Sequence, residues 1–214
     1  MCIHSTIISA GSLFMQFGLN RYGVESIAGF TIASRINSIT FLPLLSMGTA
    51  IAAFTGQNYG AKRFMRIRIG IRNCFSFSVI CSIITTILFL LFGRELVRLF
   101  TGTVNETLEK DALTYLYIGI PFYLILGVLI VYRGALQAMG NTTGPIASSF
   151  FELAVRISGV LILPIFYGYF GICLTNPLAW VGGVIPVLFI YWRVMRNIPK
   201  RNLGFGGTKK WIGL

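Results

Sequence analysis

The chain has 214 residues, of which 55% are apolar, 14% aromatic and only 11% charged. Soluble globular domains carry about 25% charged residues, so this composition excludes an ordinary soluble domain. The formal net charge is +12, from 18 Lys and Arg against 6 Asp and Glu. Together with a mean hydropathy of +0.78, these values predict an all-α integral membrane protein.

Six stretches of the chain are long and apolar enough to be transmembrane helices. A helix needs about 20 mostly apolar residues to cross a bilayer. The last uncharged run, 157–192, is interrupted by Tyr-Gly-Tyr-Phe-Gly at 167–171, so it contributes to two helices. The sequence therefore predicts a six-helix membrane lobe at 1–198, followed by a basic tail at 199–214. In chain order, the predicted spans lie at about 5–20, 27–54, 73–92, 112–138, 145–167 and 171–192.

The distribution of basic residues between the two sides of the membrane predicts the orientation. If six spans alternate in direction, one side receives the loop 57–72 and the residues from 193 onward, with 11 basic residues and no acid. The opposite side carries four basic and five acidic residues. By the positive-inside rule, the tail is cytoplasmic in a multi-pass protein of the cell (plasma) membrane. Because topology explains the basic excess, we expect membrane lipid and no nucleic acid as a partner of these residues.

The sequence offers no set of residues for a metal site or for hydrolytic chemistry. Its four cysteines lie in or beside the apolar spans without a Cys-x-x-Cys pair, and the chain has a single histidine. Hydrolysis inside a membrane needs paired carboxylates, a metal-binding pair of histidines or a serine with a general base. The predicted spans contain one acid, Glu152. We therefore expect no metal site and no enzymatic activity.

Charged residues within the predicted spans mark the candidate functional site. A charge near the centre of a span costs about 2.5–3.5 kcal/mol on insertion scales, so such residues tend to face a bundle interior or an aqueous cavity. Arg35, Glu152 and Arg156 lie deep in their spans and are predicted to face a cavity. Arg133 lies near enough to the cytoplasmic end of its span to reach the interface. Glu152 and Arg156 also fit an i, i+4 ion pair that only braces the bundle, and both interpretations stay open.

Polar residues gather on one face of the first, second, fourth and fifth predicted helices. The faces follow from a rotation of about 100° per residue along a helix. Small polar residues also help helices to pack, so these faces alone do not define a cavity. The intramembrane charges favour a single cavity lined by four helices. The candidates for its wall are Gln16, Asn20, Arg35, Ser38, Tyr123, Glu152 and Arg156.

The segment 48–63 reads Gly-Thr-Ala-Ile-Ala-Ala-Phe-Thr-Gly-Gln-Asn-Tyr-Gly-Ala-Lys-Arg. It resembles the segment that closes the eighth helix of multidrug and toxic compound extrusion (MATE) transporters, most specifically in Gly-Gln-Asn-Tyr-Gly-Ala at 56–61. Further matches follow in the family's order, among them Arg-Gly-Ala-Leu-Gln-Ala-Met-Gly at 133–140 and Glu-Leu-x-x-Arg at 152–156. The resemblance covers roughly residues 3–192. It implies a six-transmembrane-helix bundle that corresponds to the C-terminal lobe of a twelve-helix MATE transporter.

The same resemblance implies a function. Family members move substrates by alternating access between two six-helix lobes, so it implies export of cationic or amphipathic drug-like compounds. The coupling ion would be Na⁺ or H⁺, with no other cofactor, and the missing N-terminal lobe would be a partner. Gln57 and Asn58 would belong to the family-motif loop. Unlike members of the sodium-coupled branch, this chain has no carboxylate in its first or fourth span, so Glu152 is the one acid within the spans.

Two other interpretations of the sequence remain open. A flippase for lipid-linked sugars, from the same superfamily, would use a basic cavity formed by Arg35 and Arg156. A truncated half that does not transport would keep the fold without the activity. The motif at 56–61 belongs to the drug exporters, and it favours efflux over the flippase.

Overall fold

The computed structural model describes residues 2–101 and 106–197, and only the backbone of residues 2–5, 7 and 8. Every regular element in these two segments is helical, which confirms the predicted all-α class. The predicted tail at 199–214 lies outside the described residues. In chain order the α-helices are α1 (Cys2–Leu19), α2 (Val24–Thr40), α3 (Leu42–Gly60), α4 (Phe64–Thr101), α5 (Glu106–Gly119), α6 (Tyr123–Ala138) and α7 (Thr143–Arg196).

Several of the described helical segments are long and apolar enough to cross a membrane. By length and composition, α4, α7 and the run Glu106–Ala138 each qualify, and α2 with α3 adds a fourth span if this bent pair is counted as one. Their outer surfaces are apolar, since α4 exposes a row of large side chains that includes Ile80, Ile84 and Leu91. Such a continuous apolar surface is stable in lipid rather than in water. The protein is therefore an integral membrane protein.

Helix α7 consists of two antiparallel arms, 143–167 and 169–196. Its 54 residues would measure about 80 Å as one straight helix, far more than the bilayer core of about 30 Å. Gly168 has φ +56° and ψ −138°, a left-handed conformation that breaks the helix. Beyond this break the arms are in contact, because a Cβ on Gly159 would lie 2.8 Å from Thr175. The break lies within 167–171, where the sequence predicts an interruption.

Two neighbouring spans also break in their interior. The second span divides at Phe41, where α2 and α3 meet at 41°, and Pro43 lies in the first turn of α3. The fourth span divides at a 3₁₀ turn, Ile120–Phe122, which contains Pro121 between α5 and α6. Proline removes a backbone donor and favours such breaks. The two breaks touch, since the rings of Phe41 and Tyr123 lie 5.0 Å apart between centroids.

Glycines allow the helices of the lobe to pack closely around the centre. A Cβ on Gly134 of α6 would lie 2.7 Å from the carbonyl oxygen of Gly48 in α3, so the backbones of these helices are in direct contact. A Cβ on Gly18 of α1 would lie 2.7 Å from Val160 in the first arm of α7. Close approach through small residues is a common way of packing membrane helices. It holds α1, α3, α6 and α7 around one interior space.

An ion cluster joins the end of α4 to the start of α5, between the predicted spans 73–92 and 112–138. In this α4–α5 ion cluster, Arg94 Nε lies 2.5 Å from Glu109 Oε1, and Arg98 Nε lies 3.0 Å from Glu109 Oε2. The hydrogen bonds donated by Arg94 and Arg98 hold the pKa of Glu109 below its usual value. The side chains of the two arginines are 62% and 48% exposed, so solvent screens this cluster.

Candidate functional site

A cavity of about 870 Å³ lies between the helices of the lobe. Its size suits a drug-sized molecule, for which pockets of about 300–1,000 Å³ are typical. Apolar and aromatic side chains form most of the wall, with polar groups on several helices. The cavity wall includes the large side chains Met15, Leu19, Phe30, Phe41, Leu45, Tyr115, Leu126, Leu129, Ile130 and Trp180.

Three charged side chains converge at one part of this wall and form the cavity triad, Arg133, Glu152 and Arg156. Arg133 Nη2 lies 3.1 Å from Glu152 Oε2, and Arg156 Nη2 lies 3.1 Å from Glu152 Oε1. Each carboxylate oxygen therefore accepts a hydrogen bond from a different arginine. The three side chains are only 9–10% exposed, so the cavity triad is a buried ion network.

The side chain of Ser148 anchors the cavity triad to both arms of α7. Arg133 Nη2 also donates to Ser148 Oγ at 2.6 Å, and Ser148 Oγ donates to the carbonyl oxygen of Gly183 at 2.7 Å. Ser148 belongs to the first arm and Gly183 to the second. These bonds fix the α6 guanidinium beside Glu152, and they link the network to the α7 hairpin.

The cavity triad carries a surplus positive charge. It contains two guanidinium groups, which stay protonated in proteins, and one carboxylate. Among the described residues that line the cavity, Glu152 is the single acid. Burial of an unbalanced charge costs several kcal/mol, because water no longer solvates it. The wall of the cavity therefore has an electrostatic preference for negative charge.

Amides and hydroxyls line the cavity beyond the triad. Asn176 Nδ2 donates to the Tyr115 hydroxyl at 3.0 Å, which joins the second arm of α7 to α5. The hydroxyl of Tyr123 donates to Asn37 Oδ1. Other polar lining residues are Ser12, Gln16, Thr31, Ser34, Thr49 and Gln137.

The structure brings together three of the predicted wall residues, Gln16, Glu152 and Arg156. Glu152 and Arg156 form the predicted i, i+4 ion pair, and both residues also line the cavity. Tyr123 is 1% exposed and lies behind the wall, bonded to the lining residue Asn37. Asn20 is exposed and lies outside the lining.

Arg35 and Ser38 do not line the cavity in this conformation, whereas the polar face of the second span predicts that they do. Both side chains are exposed, and Ser38 Oγ donates to the carbonyl oxygen of Ser34 at 2.8 Å. For Arg35 the physical reason is the rotation of α2, which turns Ser34 and Asn37 towards the cavity, whereas Ser38 lies only about 40° from Ser34 and its exposure has no such explanation. Arg35 lies about 100° further round the helix than Ser34.

Arg133 is buried, although its position in the sequence predicts that it reaches the membrane interface. It is 9% exposed and belongs to the cavity triad. The first arm of α7 covers it with Ser148 and Glu152, and an ion pair in the interior replaces solvation by water. Depth along a single helix does not reveal a partner on a neighbouring helix.

The family-motif residues Gln57 and Asn58 lie at the end of α3 and outside the cavity lining. Asn58 is buried, and its Nδ2 donates to the carbonyl oxygen of Phe54 at 2.8 Å. The backbone carbonyl of Asn58 accepts a hydrogen bond from Arg63 N at 2.8 Å, and that of Gln57 accepts one from Ala61 N at 3.1 Å. This part of the motif thus shapes the end of a helix.

Sequence reasoning missed several lining residues, among them Asn37, Asn176 and Trp180. The two asparagines had a usable signal, since each is an amide within a predicted span, where polar groups need partners. Trp180 had none, because an aromatic residue in an apolar span is ordinary. In the described part of the chain, no three His, Cys, Asp or Glu side chains form a group that could hold a metal ion.

Comparisons with known proteins identify relatives of this chain and proteins of similar fold. A family model described as MatE matches residues 1–162. The chain is 26% identical over 187 residues to the probable multidrug resistance protein NorM of Thermotoga maritima. The match covers 87% of this chain and 39% of that protein. It is 30% identical over 138 residues to the probable multidrug resistance protein YpnP of Bacillus subtilis. This match covers 63% of this chain and 30% of that protein.

Solved MATE transporters have a similar fold. An aspartate-to-asparagine mutant of the Vibrio cholerae MATE transporter VcmN matches with a TM-score of 0.81 at 20% identity, covering 91% of this chain and 45% of that one. A MATE structure in the bent conformation also gives 0.81, at 17% identity, covering 91% and 43%. The chain spans less than half the length of each protein in these comparisons. Since the family model covers most of the sequence and the helices superpose on half of a solved transporter, this chain belongs to the MATE family.

Proposed function

We propose that this chain is the C-terminal lobe of a secondary active multidrug efflux transporter that exports cationic or amphipathic compounds. The observation that carries the proposal is the cavity of about 870 Å³, with its aromatic and polar wall. The names of the relatives, probable multidrug resistance proteins, support the same class of substrate. We expect a multi-pass protein of the plasma membrane with a cytoplasmic C-terminus, because the loop charges are asymmetric.

Transport by this mechanism requires a second lobe. Alternating access uses two bundles that rock about a site between them. The chain spans 39% of the NorM relative, which leaves room there for another six-helix lobe. We therefore propose an N-terminal MATE lobe as the partner that closes the cavity over a drug-like substrate.

Antiport with sodium ions or protons forms the second part of the proposal. Glu152 is the one acid among the described lining residues, but both of its oxygens accept hydrogen bonds from arginines. The two neighbouring guanidiniums repel an approaching cation. We therefore propose that the coupling ion, Na⁺ or H⁺, binds to groups of the N-terminal lobe. No enzymatic activity is expected.

A lipid-linked sugar flippase is the second candidate, and the surplus positive charge of the cavity triad favours it. A phosphate of a lipid carrier would balance that charge. The aromatic wall, with Phe30, Phe41 and Trp180, instead suits flat drug-like molecules. We rank efflux first because the family relatives are named as drug-resistance proteins.

The test measures dye export in an efflux-deficient bacterial host that makes the chain alone or joined to the N-terminal lobe of a MATE relative. We expect less accumulation of rhodamine 6G, a cation, or rhodamine B, a zwitterion, only in cells with both lobes. Immunoblots of membranes check that the two proteins are equally abundant. Export by the chain alone would contradict the two-lobe mechanism. Unchanged accumulation of both dyes with two lobes present would contradict drug efflux.

A further inference from the structure

We infer that the cavity triad is a binding site for an anionic group, a carboxylate or phosphate, carried by an aromatic compound. The biological use of this site rests on the proposed efflux function, because it narrows the amphipathic substrates of that function to those that carry an anionic group. Binding itself does not require a second lobe, a coupling ion or transport. It can therefore be tested on the chain as it stands.

The charge of the cavity triad favours an anionic ligand. Arg133 and Arg156 share the single carboxylate of Glu152, one arginine on each oxygen. The cavity triad therefore lacks one negative charge that would make it neutral. Because all three side chains are about nine-tenths buried, little water screens the surplus, and an incoming anion gains more here than at the protein surface.

The environment of Arg156 also favours an anionic ligand. A guanidinium has five N–H donors, and Arg156 Nε is buried without a hydrogen-bond partner. Arg156 reaches the cavity wall beside α1, where a Cβ on Gly11 would lie 2.8 Å from Arg156 Nη1. Glycine at position 11 leaves the space that this guanidinium occupies. The side chain is therefore held at the cavity wall with only part of its hydrogen-bonding capacity used by Glu152.

The aromatic side chains of the cavity wall indicate the chemistry of the rest of the ligand. Aromatic rings stand in the same wall in edge-to-face pairs, with Phe30 and Tyr115 4.9 Å apart between centroids and Phe41 and Trp180 5.9 Å apart. Such rings favour flat apolar groups through stacking and area burial. A molecule with an aromatic body and an anionic end satisfies both parts of the wall. Among amphipathic compounds, the site therefore selects aromatic anions and zwitterions over simple cations.

Quenching of tryptophan fluorescence can measure this selectivity directly. Trp180 lines the cavity, and the changes Trp192→Phe and Trp211→Phe make it the single tryptophan of the chain. The purified chain in detergent is titrated with 4-nitrobenzoate, neutral 4-nitrobenzamide and cationic 4-nitrobenzylammonium, which share one quenching ring. We expect 4-nitrobenzoate to bind about tenfold more tightly than the amide, as for one hydrogen bond to a charged group. The ammonium compound should bind most weakly.

Two variants with opposite charge changes separate an anion site from a folding defect. Arg156→Gln leaves a balanced pair of Arg133 and Glu152, so the preference for 4-nitrobenzoate should fall to within about twofold of the amide. Glu152→Gln leaves two cations, so the preference should rise above that of the parent chain. A general loss of structure would weaken the three probes together in both variants.

The matched control is Arg72→Gln, which removes a positive charge from an exposed position on α4, a helix that contributes no lining residue. It should leave the preference unchanged. An added titration with 4-nitrophenyl phosphate distinguishes the sources of the anion. Tighter binding of the phosphate than of the carboxylate would point to a lipid headgroup, and the reverse to a carboxylate drug. Equal binding of the charged and neutral probes, or no quenching by any of them, would overturn the inference.

Discussion

The cavity triad and the α4–α5 ion cluster have the same composition, two arginines on one glutamate, and they differ in the exposure of the arginines, since the side chains of Glu109 and Glu152 are both 9% exposed. In the cluster the arginine side chains are 62% and 48% exposed, whereas both arginines of the triad are 10% exposed. Solvent balances the extra charge of the cluster, and it contributes little beyond joining two helices. The triad keeps its extra charge inside the bundle. The same set of two arginines and one glutamate thus braces two helices in one place and gives a cavity its charge in the other.

Removing the carboxylate from each network should give the largest difference in stability between the two. Glu152→Leu leaves two buried arginines without an anion, and we expect the free energy of unfolding to fall by about 3–5 kcal/mol. Glu109→Leu should cost much less, because Arg94 and Arg98 remain solvated. The measurement is reversible unfolding of both variants in mixed detergent, followed by circular dichroism. Equal losses would show that burial does not distinguish the two networks.

A methyl group at position 11 should have the next largest effect, and only on the triad. The Cβ of Gly11→Ala would meet Arg156 Nη1 and Cδ at 2.8 and 2.9 Å, so the guanidinium must shift. We expect the preference for 4-nitrobenzoate over its amide to change by about threefold or more. Gly119→Ala is the matched control, since a Cβ there has no neighbour within 4 Å. If both alanines leave the preference alone, Gly11 does not set the position of Arg156.

The pH dependence of the α4–α5 ion cluster should be measurable but smaller. The pKa of Glu109 is lowered in the folded chain, so its contribution to stability is present above the unfolded pKa of about 4.3. That contribution is lost as the pH falls through the folded pKa. The difference in melting temperature between the parent chain and Glu109→Gln should therefore be largest near pH 7 and shrink towards pH 3. A difference that grows with acidification would contradict this sign.

The smallest effect is expected at Arg35, where sequence and structure disagree. Arg35→Gln removes a charge that lies outside the cavity lining, so the binding of 4-nitrobenzoate by the isolated chain should stay within about twofold of the parent. Arg156→Gln provides the contrast on the same assay. A loss at Arg35 as large as that at Arg156 would restore the prediction that Arg35 faces the cavity.

The helical class, the break near Gly168 and three wall residues follow from local information. Long uncharged runs indicate spans, a glycine-rich interruption indicates a break, and Glu152 with Arg156 lies too deep to be left without partners. Each of these inferences uses one segment at a time. They hold because membrane insertion constrains each helix separately.

The positions of Arg35 and Arg133 depend on contacts between helices. Those contacts cannot be predicted from the sequence of one helix at a time. A polar face wider than 100° is compatible with several rotations of α2, and packing selects the one that exposes Arg35. Arg133 lies within reach of the interface along α6, but the first arm of α7 offers Ser148 and Glu152 instead. Helix rotation and interhelical pairing are decided by tertiary packing.

The two interior breaks, at Phe41 in the second span and at Ile120–Phe122 in the fourth, have a mechanical consequence. Since the rings of Phe41 and Tyr123 are in contact, the two breaks are adjacent within the lobe. We expect the half-helices on one side of these two breaks to tilt together. Trp180 packs against both rings and borders the cavity, so such a tilt would widen the space at one end while narrowing it at the other.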